Sequence, residues 1–365
     1  MQSVKRQNEE NKTGGYVPQV MNAVLFYGPE DIRYEKIPTP KINENEILVK
    51  INTVLTGGTD LKTFKRGHPV LIKKMPSLFG HQFSGEIIQV GKNVKNFSRG
   101  QRVISLNSAP CFECHFCKIK RFSLCENIEF LNGAYAEYIA VPERIVKHNT
   151  YVIPEGVSFT TAAILESLAV VLHGLDKSGV EKNKTVCIIG TGSIGLLFTA
   201  VSKHFGAKVI SVGRNEFKLS VSKDLGADYT FNMKEFPEES LIKEINSVTE
   251  GLGPEIVIEA VGLPEMWELS TRIVRRGGTV NFFGGCKKGT KVEIDTFKLH
   301  YDELKLIGVF HHTPEYAKKA LNMLSNSSIS KTVDKIITQT LPLADLKKAF
   351  EMQEAGKAIQ IAIQP

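Results

Sequence analysis

The sequence predicts an α/β protein in two parts: a β-rich N-terminal half, then a doubly wound parallel sheet. Three observations carry this. From Met21 to about Ile153 the apolar runs have strand length and are punctuated by Pro, Gly and Asn. After Pro154 helical and strand-like patterns alternate, which calls for crossovers and therefore a parallel sheet. Between Thr185 and Gly195 a strand-like run enters a glycine-rich turn that opens a helix. With 365 residues, 42% of them hydrophobic, the chain is long enough for two cores.

Taken in order, residues 1–20 are polar, charge-mixed and aperiodic, and are expected to form a disordered tail. Strands are expected at Asn22–Tyr27, Ile47–Ile51, Gly85–Val90, Arg102–Leu106 and Ala136–Val141. An excursion interrupts them, carrying Cys111, Cys114, Cys117 and Cys125, with gaps of two, two and seven residues. Short Cys-x-x-Cys hairpins let thiolates converge on one zinc ion at about 2.3 Å, and four ligands leave no open position, so the lobe reads as a structural zinc site. Disulfides are the weaker reading, because no secretory segment is evident and only two other cysteines exist.

A helix is expected from about Phe159 to Leu175, capped by Ser158. The run Thr185–Ile189, the turn Gly190-Thr191-Gly192-Ser193-Ile194-Gly195, a helix to Phe205 and the strand Lys208–Val212 form a strand–turn–helix–strand unit. Gly190 permits the tight turn, Gly192 lets the backbone approach a pyrophosphate, and Gly195 lets the helix pack on its strand. Ser193 and Ile194 lie at the helix N-terminus where the diphosphate sits. A dinucleotide is the expected ligand. Further units follow: a helix from about Glu216 to Leu225, strands Glu255–Ala260 and Thr279–Phe283, then helices and a final strand Ile359–Ile363, expected to return to the first domain.

At the tip of the second strand, Val212-Gly213-Arg214-Asn215 offers no acid to ribose hydroxyls, whereas Arg214 offers a fork of donors suited to a 2′-phosphate. NADP is therefore favoured, with NAD as the alternative through Glu216. The net charge is +7, but the basic pairs are dispersed among acids, which argues against a nucleic-acid partner. The longest apolar stretches, Ala162–Leu175 and Thr185–Val201, are interrupted by Glu166, His173 and glycines, so no membrane span is expected, and the cytoplasm is the expected compartment.

The cysteine lobe, the motif Gly80-His81-Gln82-Phe83-Ser84-Gly85-Glu86, the dinucleotide unit and the C-terminal return together resemble the medium-chain, zinc-containing alcohol dehydrogenase family. The segment Glu166-Ser167-Leu168-Ala169-Val170-Val171-Leu172-His173 is most similar to its sorbitol and threonine dehydrogenase branch. The resemblance implies a GroES-like catalytic domain at residues 21–165 and 306–365, and a Rossmann domain at 166–305. It also implies oxidoreduction of a secondary alcohol of polyol or sugar type and its ketone, and a homodimer or homotetramer.

By the same resemblance Thr59, His81 and Glu166 are the catalytic positions, with His81 and Glu166 as ligands of a catalytic zinc. Yet Gly57 stands where the family places a ligand cysteine, and Gln82 where it places a carboxylate. A Lewis-acid zinc needs three protein ligands and an open position. Asp60, Gln82 and His68 are the candidates for the third, and occupied and vacant sites both stay open. Lys62 matches an outer relay histidine and is read as a solvated lysine. His311-His312 falls near the expected return to the catalytic domain and could face the cleft, with a surface or packing role favoured, and Cys187 is read as core filler. Two alternative functions stand beside the first: a zinc-free quinone-oxidoreductase-like carbonyl or enone reductase, and a catalytically idle nucleotide-binding protein.

Overall fold

The computed structural model describes residues 17–365. The tail expected over 1–20 lies mostly outside the described residues, and Val20 already opens the first strand, Val20–Gly28. That strand pairs with Asp31–Pro38, a hairpin partner that sequence reading missed, and with Ser77–Leu78.

The main sheet of the catalytic half runs Thr150–Val152, Arg102–Ser105, Phe83–Val90, Ile47–Leu55, Gln360–Gln364 and Ile337–Pro342, with Tyr138–Val141 also on Ile47–Leu55. Ile47–Leu55 is buried along most of its length because it lies at the centre, between Phe83–Val90 and the last strand of the chain. The C-terminal strand is antiparallel to it, with Ala362 opposite Leu55 and Ile363 opposite Val54. The cysteine lobe leaves this sheet through the small ladder Ser108–Ala109 with Glu129–Phe130.

The second sheet is parallel throughout and six-stranded, in the order Tyr229–Asn232, Lys208–Gly213, Thr185–Ile189, Ile256–Glu259, Thr279–Phe282, Lys305–Gly308. By chain order this is 3-2-1-4-5-6, the doubly wound arrangement whose order reverses beside the first strand and leaves a crevice there for a dinucleotide. Its central strands are apolar runs rather than alternating ones, since helices cover both faces. The sixth strand extends the sheet to Gly308, three residues past the boundary expected at 305.

The helix expected over Phe159–Leu175 is two pieces, Phe159–Ala162 and Leu165–Ser178. The Ser158 side chain accepts from the Thr161 N–H at the first. The span Phe159–Ser178 is long and apolar enough to cross a bilayer by composition, but its most apolar window is 83% buried inside the fold. It belongs to one apolar cluster that runs from Leu55, Ile104 and Leu106 of the first sheet to Val186 and Ile188 of the second. The two halves therefore share a core.

The glycine turn is built as the sequence implies. Gly190 has φ of 111°, and a Cβ on Gly195 would lie 1.8 Å from the Gly190 carbonyl oxygen. Gly195→Ala is expected to push the helix off its strand, costing about 1–3 kcal/mol and about 2–4 °C in Tm. An unchanged melting curve would contradict this packing.

Candidate active site

A cleft of about 600 Å³ lies at the reversal point of the parallel sheet. The catalytic half contributes Gly58, Thr59, Lys62, His81, Gln82 and Glu166 to its lining, and the glycine turn from Gly190 to Ile194 lines the other wall. The structure thus brings all three expected catalytic positions to the same space as the dinucleotide turn.

The helix Gly58–Arg66 begins at Gly57, whose N–H donates to Asp60 Oδ2 at 3.0 Å. The other oxygen, Asp60 Oδ1, accepts from His81 Nδ1 at 2.9 Å. Both side chains are buried, at 5% and 3% exposure. Burial works against a charged imidazole, but the Asp60 and Glu166 carboxylates outweigh it and raise the His81 pKa to about 9. With Nδ1 held by Asp60, Nε2 is the nitrogen free for a ligand. The Thr59 hydroxyl has no protein partner among the described residues. Lys62 also lines the cleft. Burial and then Arg66 lower its pKa, although the side chain stays exposed.

Gln82 explains how the chain tolerates Gly57. Its Nε2 donates to Glu166 Oε2 at 3.0 Å and Ser167 Oγ at 2.8 Å, while its Oε1 accepts from Gln360 Nε2 at 3.0 Å. A Cβ at position 57 would lie 3.3 Å from both Gln82 Nε2 and Asp60 Oδ2. The amide and the Asp60 carboxylate therefore crowd the first atom of any side chain at position 57, and they must give by a few tenths of an ångström to admit one. None of the three proposed third ligands is free to replace that thiol. Asp60 holds Gly57 and His81, Gln82 turns its NH₂ toward the acid, and His68 Nδ1 accepts from the Val70 and Leu71 N–H groups. The residues do not fit the family's catalytic zinc.

His311-His312 is not a surface pair. His312 is 3% exposed and His311 lines the cleft, both brought inward because His173 Nδ1 donates to the His311 carbonyl at 2.8 Å. Burial is the main cause that depresses both imidazoles, His311 to about 4 and His312 further. The cleft-facing role is the less favoured of the two sequence expectations because a histidine doublet carries no spacing that distinguishes cleft from surface. Burial raises the pKa of Glu166 in turn.

At the cofactor end the helix Ser193–His204 has no side-chain cap, so its first N–H groups remain available to an anion. Arg214, exposed and without an ion-pair partner among the described residues, lines the cleft together with Asn215 and Lys218. Lys218, one helical turn past Arg214, is a cation that sequence reading overlooked. Glu216 is committed elsewhere, accepting from the Asn232 amide, and does not line the cleft.

In the lobe the four sulfurs lie within 4.8 Å of one another, with Cys111 Sγ 3.9 Å from Cys117 Sγ and 3.4 Å from Cys125 Sγ. A tetrahedron with bonds of about 2.3 Å separates sulfurs by about 3.8 Å, so the donor set fits zinc. The Cys111 and Asn127 N–H groups point at Cys125 Sγ, at 3.2 and 3.3 Å, as expected around thiolates. The N–H groups of Glu113 and Cys114 pull the Cys111 thiol down to about 6.

Two family models match the chain: an alcohol dehydrogenase GroES-like domain over residues 43–151 and a zinc-binding dehydrogenase over 193–326. Human sorbitol dehydrogenase is 30% identical over 355 residues, covering 93% of this chain and 95% of the relative. The chain belongs to the medium-chain zinc alcohol dehydrogenase family, in its sorbitol dehydrogenase-like branch. Sorbitol dehydrogenase of Bacillus subtilis is 28% identical over 358 residues, covering 96% and 98%. A Sinorhizobium meliloti protein described as a zinc-binding dehydrogenase, solved bound to NADP, superposes with TM-score 0.85 at 27% identity, covering 95% and 100%. This dehydrogenase is thus an NAD(P)-dependent oxidoreductase of the alcohol dehydrogenase type. The quinone-reductase-like and idle readings gain no support.

In this member of the family, Gly57→Cys alone is expected to leave the zinc content unchanged, because the new side chain meets Gln82. A gain of one zinc per chain on metal analysis would show that Gln82 yields.

Proposed function

We propose that this dehydrogenase interconverts a secondary alcohol of polyol or sugar type and its ketone, with NADP(H) as cofactor. The single observation that carries the reading is the convergence of Thr59, the Asp60–His81 pair and the glycine turn on one cleft. Relatives named sorbitol dehydrogenase and D-arabitol-phosphate dehydrogenase support the substrate class.

The bound nicotinamide supplies hydride transfer; everything else falls to the chain. Ser193 and Ile194 present backbone N–H groups to the pyrophosphate, and Arg214 with Lys218 receives the 2′-phosphate. The unpartnered Thr59 hydroxyl hydrogen-bonds the reacting oxygen. His81, oriented through Nδ1 by Asp60, holds the moving proton at Nε2, giving it to the ketone oxygen in reduction and taking it back in oxidation. Gln82 keeps the Glu166 carboxylate turned toward its own amide.

Arg214→Ala is expected to weaken NADPH about 10- to 100-fold, the worth of a lost charge-assisted hydrogen bond, while NADH binding stays level. Equal losses for both, or tighter NADH binding by the native chain, would refute the phosphate assignment. His81→Ala should lower kcat on the best polyol by about 10²–10⁴-fold with the NADPH Kd unchanged. A variant with native kcat would remove His81 from the chemistry.

The cysteine lobe we read as a structural zinc site. The outer strand Lys305–Gly308 ends the parallel sheet beside Phe297 and Tyr301, 69% and 65% exposed, which supports pairing with a second copy into a dimer or tetramer.

A further inference from the structure

The cleft floor carries a second set of donors that shares only Glu166 with the family's ligand positions. Glu166, His311 and His312 each offer a ligand atom, and the three atoms lie within 4.8 Å of one another. Glu166 comes from the first turn of Leu165–Ser178, and the two histidines from the segment between Lys305–Gly308 and the helix Pro314–Leu324. His312 and Glu166 are buried, at 3% and 8% exposure.

Several contacts hold these side chains in place. Ser108 Oγ lies 2.5 Å from His311 Nε2 and 3.4 Å from His312 Nε2, and Asn107 Oδ1 lies 2.8 Å from His312 Nε2. His311 sits at φ 63°, a left-handed conformation that a non-glycine residue adopts at a cost. One atom is left over. His312 Nδ1 is buried with no hydrogen-bond partner. Since Nε2 donates to Asn107, Nδ1 carries a bare lone pair, and a buried acceptor without a donor costs about 1–3 kcal/mol.

We propose that Glu166, His311 and His312 bind a divalent first-row cation, zinc before others, in place of the family site that Gly57 and Gln82 have closed. Two imidazoles and one carboxylate are the three-ligand set of an open zinc site, and imidazole donors favour such metals over calcium or magnesium. The donors need only draw in to about 3.4 Å apart to give bonds of about 2.0–2.1 Å. Gln82 remains hydrogen-bonded to Glu166 and orients the carboxylate, as partners outside the ligand sphere commonly do. The open position faces the cleft, which Glu166 and His311 both line. The site lies within the cleft of the proposed reaction, but its occupancy is read separately from turnover.

Metal analysis of freshly purified full-length protein tests it. The native chain is expected to hold two zinc ions, His312→Gln one, and His81→Ala two. His312→Gln keeps an amide partner for Asn107 while removing the imidazole, and its circular dichroism and melting curve report whether it folds. As a second readout, Co²⁺ loaded into the zinc-depleted native protein should give ligand-field bands of a nitrogen–oxygen site beside thiolate charge-transfer bands, and His311→Ala should lose only the former. One zinc per native chain, a second zinc retained in folded His312→Gln, or its loss in His81→Ala would each overturn the proposal. NADPH titration of the same samples tests the redox reading independently.

Discussion

The Gln82 side-chain amide is the contact on which the catalytic cleft depends. Through two donors and one acceptor it joins three distant parts of the chain: its own strand edge, the helix bearing Glu166 and Ser167, and Gln360 on the last strand. Each neutral hydrogen bond adds only about 0.5–1.5 kcal/mol net, but a buried amide deprived of a partner would cost more, so the group is fixed in place. Its position suits glycine at 57, because a Cβ there would lie only 3.3 Å from the amide nitrogen.

The surrounding fold keeps this arrangement stiff. The last strand pairs with Ile47–Leu55, so the C-terminal segment returns to the sheet of the catalytic half, and a single apolar cluster continues from that sheet to the strands beneath the glycine turn. A displacement of the dinucleotide sheet relative to Thr59 would have to break that cluster. Shared packing helps to place a cofactor ring against a hydroxyl and an imidazole.

The legible part of the sequence was whatever is dictated by local geometry. The glycine turn could be read because only glycine survives at 195, with a carbonyl 1.8 Å from any Cβ, and the cysteine lobe because its spacing allows few other arrangements. The apolar runs at 47–51, 85–90 and 256–259 marked central strands. What stayed hidden depends on contacts between remote residues. The break at Ala163–Ile164 carries no helix-breaking residue, Asp31–Pro38 is too polar to stand out as a strand, and the inward turn of His311 and His312 is set by His173 and Ser108, 138 and 203 residues away. Gln82 could be seen to depart from its family, but its hydrogen bonds to Ser167 and Gln360 could not.

The central claim is that this dehydrogenase works in a cleft where the family's thiolate ligand is missing at Gly57 and the Gln82 amide is tied to Glu166 instead. A crystal structure of the ternary complex with NADPH and an unreactive polyol analogue tests it most directly. The account requires Gln82 to stay on Glu166 and Ser167, with the analogue's carbinol oxygen within hydrogen-bonding distance of Thr59 and His81. A Gln82 side chain swung out of the cleft, with a metal ion seated beside Gly57 and bound by His81, would contradict it.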